Sequence, residues 1–376
     1  MGWGKNDLRV TASQRGRAMT RGHLCFVIPS YVLFRVIEEG QPELRARAAA
    51  TLAISERLRE RRAVTRRLVQ HEPDAAPTLL LPQVGERRTV YDMHNGGQGD
   101  LPGTRVRGEG EPPVSDAAVN EAYDGSGTTF DFYEGVFNRN SVDDKGLELV
   151  SSVHFETNYD NAFWDGAQMV YGDGDGQMFQ KGGFTKCLDV IGHELTHGVT
   201  QFTAGLRYRS QSGALNESLS DVFGSLVKQR SLGQTADQAD WLIGEGILGP
   251  QLPGQALRSL KAPGTAFQFD NQPADMAHYV DLPDDGDPRH DHGGVHINSG
   301  IPNHAFYLVA TALGGNAWEK AGSIWYRALT TRLKEDSDFQ AAADATAAAS
   351  AELFTPGGQE EQAVRQAWQQ VGITPA

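Results

Sequence analysis

An α+β fold in two lobes, the first β-rich and the second mainly helical, is predicted by three observations. Strand-like runs broken by Gly, Asn and Asp dominate residues 83–180. Helical periodicity dominates from residue 202 to the C-terminus. Between them, residues 186–201 form one helix with two unlike faces. Leu188, Ile191, Leu195 and Val199 make an apolar stripe, and His193 and His197 lie roughly opposite it. Such a helix needs neighbours on both sides, so it is expected to be a central helix rather than a surface one. The 376 residues suffice for two or three domains with a real core.

Charge divides the chain unevenly. The net charge is -14. Residues 1–70 carry 14 Lys+Arg against 6 Asp+Glu, and the remainder carries 20 against 42. A basic N-terminal piece on a strongly acidic body suggests electrostatic docking, or simply an arginine-rich exposed helix. Nucleic-acid binding is not expected of so acidic a body. Two cysteines, Cys25 and Cys187, exclude a disulfide scaffold. No apolar run approaches the ~20 residues that span a bilayer. The nearest, Leu24 to Ile37, is broken by Pro29 and Arg35 and has no cleavage pattern after it. It is not read as a signal peptide.

Residues 1–18 are polar, arginine-rich and aperiodic, hence expected to be disordered, with Met19 a second candidate start. Cys25 to Ile37 is apolar and stops at Glu38-Glu39-Gly40. A helical stretch from about Pro42 to Val69 follows, and Pro73 to Pro82 reads as a linker. Too small and too charged to hold a core, this segment must pack on the rest or stay mobile.

In the β-rich part, strands are expected at 88–91, 146–155 and 168–171, with helices from Ser115, an N-cap candidate, to Tyr123 and from Thr128 to Phe137. Tyr159 to Trp164 lies between strands, where an edge can meet substrate. Gly172-Asp-Gly-Asp-Gly176 fails as a calcium loop, since Phe184 stands where a bidentate Glu belongs; a tight hairpin turn is expected instead.

The central helix carries His193-Glu194-Leu195-Thr196-His197. Residues four apart on a helix point the same way, so both imidazoles can hold one metal, with Glu194 beside it as general base. A second helix, 214 to about 229, puts Leu215, Leu219, Val222 and Leu226 on one face and Glu217 and Asp221 on the other. Buried carboxylates need a partner, and a metal with two imidazoles is one. Glu217 is the candidate third ligand. Asp221 can fix a ligand histidine's tautomer, with Asn216 beside it. Further helices are expected at 301–313, 316–333, 337–353 and 358–371.

His193-Glu194-Leu195-Thr196-His197 with Asn216-Glu217-Ser218-Leu219-Ser220-Asp221 resembles the thermolysin-like neutral metallopeptidases, a branch of the gluzincins. Asn161-Ala162-Phe163-Trp164, Met169 to Gly174, Gly205-Leu206-x-Tyr208 and Gly293 to Gly300 continue the likeness, which runs from about residue 88 to the C-terminus. Ile28-Pro29-Ser30-Tyr31 is similar to protealysin-like precursors, whose prosegments are short. The resemblance implies a two-lobe fold with one catalytic Zn²⁺ on His193, His197 and Glu217. It implies that Tyr208 and His296, supported by Asp291, stabilise the oxyanion, and that Asn161 and Ala162 hold substrate as an added strand. Arg258 would bind a substrate carbonyl. Phe179, Phe184, Val190, Ile243, Ile247 and Leu257 would form the pocket for a bulky apolar residue just after the cleaved bond. The parts would be 1–18, a prosegment 19–75, a β-rich lobe 76–201 and a helical lobe 202–376. Hydrolysis of internal peptide bonds follows, by a monomeric zymogen restrained by its own prosegment and secreted without a classical signal peptide, a cytoplasmic precursor being the alternative. Cys25 could cap the zinc as a thiolate, though a small buried hydrophobe is the simpler reading.

Departures from the family pattern concern calcium. Asp189, Asp240 and Glu245 match its double calcium site, but Lys228 and Leu242 stand where it has carboxylates. Lys228 could pair with Asp189 directly, so at most one weakly bound Ca²⁺ is expected. Two rivals remain: a gluzincin aminopeptidase, which would need an anionic anchor that the sequence lacks, and a catalytically silent module on the same fold.

Overall fold

The structure, a computed structural model, describes residues 24–69 and 85–376, with the side chains of 62–69 left aside. The expected disorder of residues 1–18 and the linker at Pro73–Pro82 lie outside the described residues. Strand β1 is Cys25–Phe26, followed by helices α1 (Ser30–Glu39) and α2 (Pro42–Val69). Then come β2 (Arg88–Asp92), β3 (Thr104–Gly108), α3 (Ala117–Phe137), β4 (Leu149–Val153), β5 (Ala162–Trp164) and β6 (Met169–Tyr171). A short helix α4 (Gly183–Lys186) leads into α5 (Leu188–Gln201) and α6 (Ser210–Leu232). The strands β7 (Leu242–Ile243) and β8 (Arg258–Ser259) form a small separate pair. Helices α7 (Asp291–Asn298), α8 (Gly300–Leu313), α9 (Ala321–Thr331), α10 (Phe339–Leu353) and α11 (Gln359–Gln370) complete the chain.

The six-stranded sheet has the order β1-β5-β6-β4-β2-β3. Only the β2–β4 and β4–β6 pairs are parallel. Thus the α+β class and the sheet-rich and helical halves are as expected. The strand at the β5 edge is new: β1, from the N-terminal segment, adds to β5 antiparallel, Cys25 opposite Trp164 and Phe26 opposite Phe163. The N-terminal segment does not float. Val27, Ile28, Val32, Leu33 and Val36 are buried in the same apolar cluster as the cores of both lobes. Burying a large apolar side chain contributes roughly 1.5–3 kcal/mol, so five such residues are a firm anchor.

Several local expectations are corrected. The two helices expected at 115–123 and 128–137 are one, α3, running through Gly125-Ser126-Gly127. The glycines are not a break but a contact: a Cβ at Gly125 would lie 2.3 Å from Ile191 Cδ1, so the small residue lets α3 approach α5. Its N-cap is Asp116 rather than Ser115, and the Asp116 side chain accepts from Ala118 N at 2.9 Å. Strand β3 escapes notice in the sequence because Thr104-Arg-Val-Arg-Gly108 is a short edge strand with two arginines and one β-branched apolar residue; Arg105 is exposed, whereas Arg107 is buried over the Tyr123 ring. The tight turn expected at 172–176 falls slightly later, at 176–179, and joins no named strands. Strand β6 pairs only with β5 and β4, and the chain beyond it turns through a Gly176 N to Phe179 O bond. Helix α6 starts at Ser210, earlier than 214, and α9 at Ala321, later than 316.

Helix α5 is wrapped on all sides: every residue from Asp189 to Thr200 is buried. Helix α6 packs against it at unusually short range. A Cβ at Gly224 would fall 2.4 Å from Asp189 O and 2.9 Å from His193 N. That approach sets the Glu217 end of α6 against the histidines of α5.

Candidate metal centre and cleft

His193 and His197 stand four residues apart on α5, their rings edge to face and their Nε2 atoms 3.1 Å from each other. Each Nδ1 is committed elsewhere. His193 Nδ1 meets Asp221 Oδ1 at 2.8 Å. Asp221 is ionised, because Arg258 and His193 outweigh its burial and hold it down to about 2, so the ring donates. His197 Nδ1 meets Asn216 Oδ1 at 2.8 Å, the Asn216 amide nitrogen being turned to Leu206 O. With both Nδ1 atoms donating, a neutral ring presents a bare lone pair at Nε2.

Glu217 completes the set from α6. Its Oε2 lies 3.4 Å from His193 Nε2 and its Oε1 3.5 Å from His197 Nε2. Oε2 is buried without a hydrogen-bond partner. Burial alone would raise Glu217, but His296, His197 and His193 hold it well below the usual range. Burial opposes charge on both ligand rings. The Asp221 hydrogen bond and the nearby Glu217 carboxylate overcome it at His193, raised to about 9, whereas His197 falls to about 4. With both rings neutral, as metal ligands must be, two imidazole lone pairs and a carboxylate converge on one buried point. Such a convergence is costly unless a cation occupies it, and the nitrogen and oxygen donors suit zinc.

Glu194 points to the same place. A ring nitrogen of each histidine and a Glu194 oxygen all lie within 4.8 Å of one another. Its Oε2 accepts from Trp164 N at 2.8 Å while Oε1 has no hydrogen-bond partner. Burial, reinforced by Glu217, raises it to about 8.

Across the cleft, His296 lies on α7 just after four residues of positive φ: Asp291 at 50°, His292 at 51°, Gly293 at 82° and Gly294 at 78°. This left-handed turn suits glycine and brings Asp291 back under the ring. Asp291 Oδ1 meets His296 Nδ1 at 2.6 Å, and Oδ2 accepts the His296 backbone N–H at 2.7 Å. Burial lowers His296, but Asp291 and Glu217 raise it on balance. Its Nε2 faces Tyr208 Oη at 3.1 Å and Phe26 O at 3.2 Å. A carbonyl can only accept, so both ring nitrogens donate and the imidazolium form fits. Tyr208 Oη donates to Glu217 Oε1.

Arg258 reaches Asp221 through Nε and Nη2, each at 2.9 Å, and Val27 O through Nη1 at 3.3 Å. Asn161 Oδ1 accepts from Ile28 N at 2.9 Å, its Nδ2 donates to Ile28 O at 3.0 Å, and Val27 N donates to Ala162 O at 3.1 Å. Phe179, Phe184, Val190, Ile243, Ile247 and Leu257 are all buried in one continuous apolar cluster with Val27. Asn161, Ala162, Arg258 and His296 are thus brought together on Phe26–Ile28, and the six apolar residues share the extended core with Val27; the expected calcium positions differ. There Lys228 Nζ sits 3.2 Å from Asp189 Oδ2 and 2.8 Å from Asp240 Oδ2, so the ammonium fills the cation's role. Glu245 is exposed.

Sequence reasoning missed two contributors. The Trp164 backbone N–H that holds Glu194 is invisible to any reading by residue type. Asn303 donates to Asp221 at 2.9 Å from 82 positions away, a distance no local spacing signals. Among the described residues, no helix is long and apolar enough to cross a membrane.

The chain matches the family model for the thermolysin metallopeptidase catalytic domain over residues 83–201 and that for its alpha-helical domain over residues 204–373. It is 48% identical over 356 residues to an extracellular metalloprotease of Pectobacterium carotovorum subsp. carotovorum, covering 93% of this chain and 96% of that one. It is also 48% identical over 292 residues to protease PrtS of Photorhabdus sp. (strain Az29), covering 76% of each. Among solved structures it is similar to the precursor of protealysin, a metalloproteinase from Serratia proteamaculans. The TM-score is 0.80 at 48% identity, over 93% of this chain and 100% of that one.

Proposed function

We propose a function from one premise: this chain belongs to the thermolysin family of metallopeptidases and is a metalloendopeptidase. Our reading is a neutral endopeptidase with one zinc on His193, His197 and Glu217. It is carried by the convergence of two Nε2 lone pairs and a carboxylate on one buried point. Zinc bound there supplies Lewis-acid polarisation of a peptide carbonyl and activation of a water. Glu194, raised toward neutrality, takes a proton at its carboxylate and delivers it to the leaving amine. Tyr208 Oη and His296 Nε2 donate to the substrate oxygen as charge develops on it, and Asp291 keeps the imidazole charged and oriented. Asp221 and Asn216 fix the ligand tautomers.

Substrate binds as an added strand on Asn161 and Ala162, with Arg258 on a backbone carbonyl. The six apolar residues Phe179, Phe184, Val190, Ile243, Ile247 and Leu257 are read as selecting a bulky apolar residue just after the cleaved bond. In this chain Phe26–Ile28 takes those same contacts. Residues 19–75 are thus read as a prosegment that inhibits in place until removed. The 76–201 and 202–376 parts form the catalytic lobes. Calcium binding is weak, at most one ion, since Lys228 neutralises Asp189 and Asp240. The mature enzyme is expected to be a secreted monomer, the extracellular relative favouring export.

The test uses matured protein, casein, and end-blocked and unblocked peptides. Casein cleavage should be lost with a zinc chelator and restored by zinc. Glu194→Gln should keep one zinc yet lose activity by about two orders of magnitude or more. Blocked peptides should be cut before Leu or Phe. Activity that survives chelation, or that requires a free amino terminus, would reject this reading.

A further inference from the structure

We infer that Cys25 is a fourth metal ligand in the uncut chain, a latch that stops the enzyme from cleaving its own prosegment, resting on the zinc reading above. Phe26–Ile28 lies in the cleft as a substrate would. Val27 N–H bonds Ala162 O, Ile28 bonds Asn161 through both backbone groups, Arg258 holds Val27 O, and His296 holds Phe26 O. The Phe26–Val27 bond therefore sits at the scissile position, with apolar Val27 on the pocket side. A peptide bound this way to an intact protease invites cleavage.

Strand alternation puts Cys25 on the same face as Val27, toward the site. Cys25 is 2% exposed and packs with Tyr208 and Val295. Its Sγ, a ring nitrogen of His197 and a carboxylate oxygen of Glu217 all lie within 4.8 Å of one another. Independently, Glu217 Oε2 is buried and lacks a hydrogen-bond partner beside the same point. Two of the three proposed zinc ligands thus surround a third atom type that zinc favours. A Cys-His-His-Glu set is a closed tetrahedral site, whereas catalysis needs one position open. Binding releases the thiol proton to solvent and displaces one water, with no change of oxidation state. Withdrawing the segment returns the position to water.

The experiment uses the full chain carrying Glu194→Gln, which blocks self-processing, and Cys187→Ser, which leaves Cys25 as its one cysteine. Loaded with cobalt(II), it should bind one ion per chain and show a thiolate-to-cobalt charge-transfer band. Adding Cys25→Ser or Cys25→Ala should abolish the band while one cobalt per chain remains, the retained ion showing that the site still folds. A missing band at full cobalt occupancy, or a band that survives both substitutions, overturns the latch and leaves the metal reading intact. Failure of the parent chain to bind cobalt overturns the metal reading, and the latch with it.

Discussion

Replacing Asp221 by asparagine tests how the buried polar centre is held together. Asp221 is inaccessible and accepts from His193 Nδ1 at 2.8 Å, Arg258 Nε and Nη2 at 2.9 Å, and Asn303 Nδ2 at 2.9 Å. Asn keeps the shape but removes the charge and turns an NH₂ toward donors. Arg258, 4% exposed, then keeps at most one amide oxygen and the Val27 carbonyl, with no anion to pair its charge. Removing one partner of a buried ion pair costs about 3–5 kcal/mol, because the other charge stays desolvated. That is a large share of a stability of ~5–15 kcal/mol. His193 also loses the anion that fixes its tautomer, which should weaken zinc binding about 10–100-fold. Denaturant unfolding and chelator competition, both on a Glu194→Gln background, measure the two effects. Arg258→Met in the same background closes a double-mutant cycle. The double variant should cost less than the two singles summed, by about 1–3 kcal/mol. Strict additivity, or a D221N chain within ~1 kcal/mol of its parent, would refute the reasoning.

Two other outcomes are expected. Micromolar calcium should leave the melting temperature unchanged, whereas Lys228→Ala should lower stability by about 3 kcal/mol and create a calcium response, since Asp189 and Asp240 lose their ammonium. A large calcium shift in the unaltered chain would contradict this. His154, at φ 56°, bridges Asp173 and Asp116 at 2.7 and 2.9 Å, and those two carboxylates overcome partial burial to raise it to about 9. Its stabilisation is therefore complete below the unfolded pKa near 6.5 and lost as pH rises through about 9. His154→Asn, which tolerates the left-handed backbone, should be less stable than the parent near pH 6 and nearly equal to it above pH ~10. An equal gap at both would reject the ionic bridge.

How much was legible in the chain itself depends on sequence distance. His193, Glu194 and His197 declare themselves because helix geometry alone sets i and i+4 side by side. Glu217 and Asp221 follow from the same rule on α6, and Lys228 beside Asp189 could be anticipated from charge. Within α3, Gly125 shows that a glycine signals a break and a close contact equally well until the partner, here Ile191, is known.

The sequence by itself determined the sheet-rich and helical halves and the central helix, and it carried the proposal of the donor set, because each rests on local periodicity and on the chemistry of a few side chains. Only the tertiary structure decided what lies in the cleft. Joining Cys25–Phe26 to β5 takes a contact across more than a hundred residues, and no propensity encodes which edge strand a short segment will pair with. The same holds for Asn303 on Asp221 and for the Trp164 N–H on Glu194. These are matters of which backbones meet, set by packing rather than by residue type.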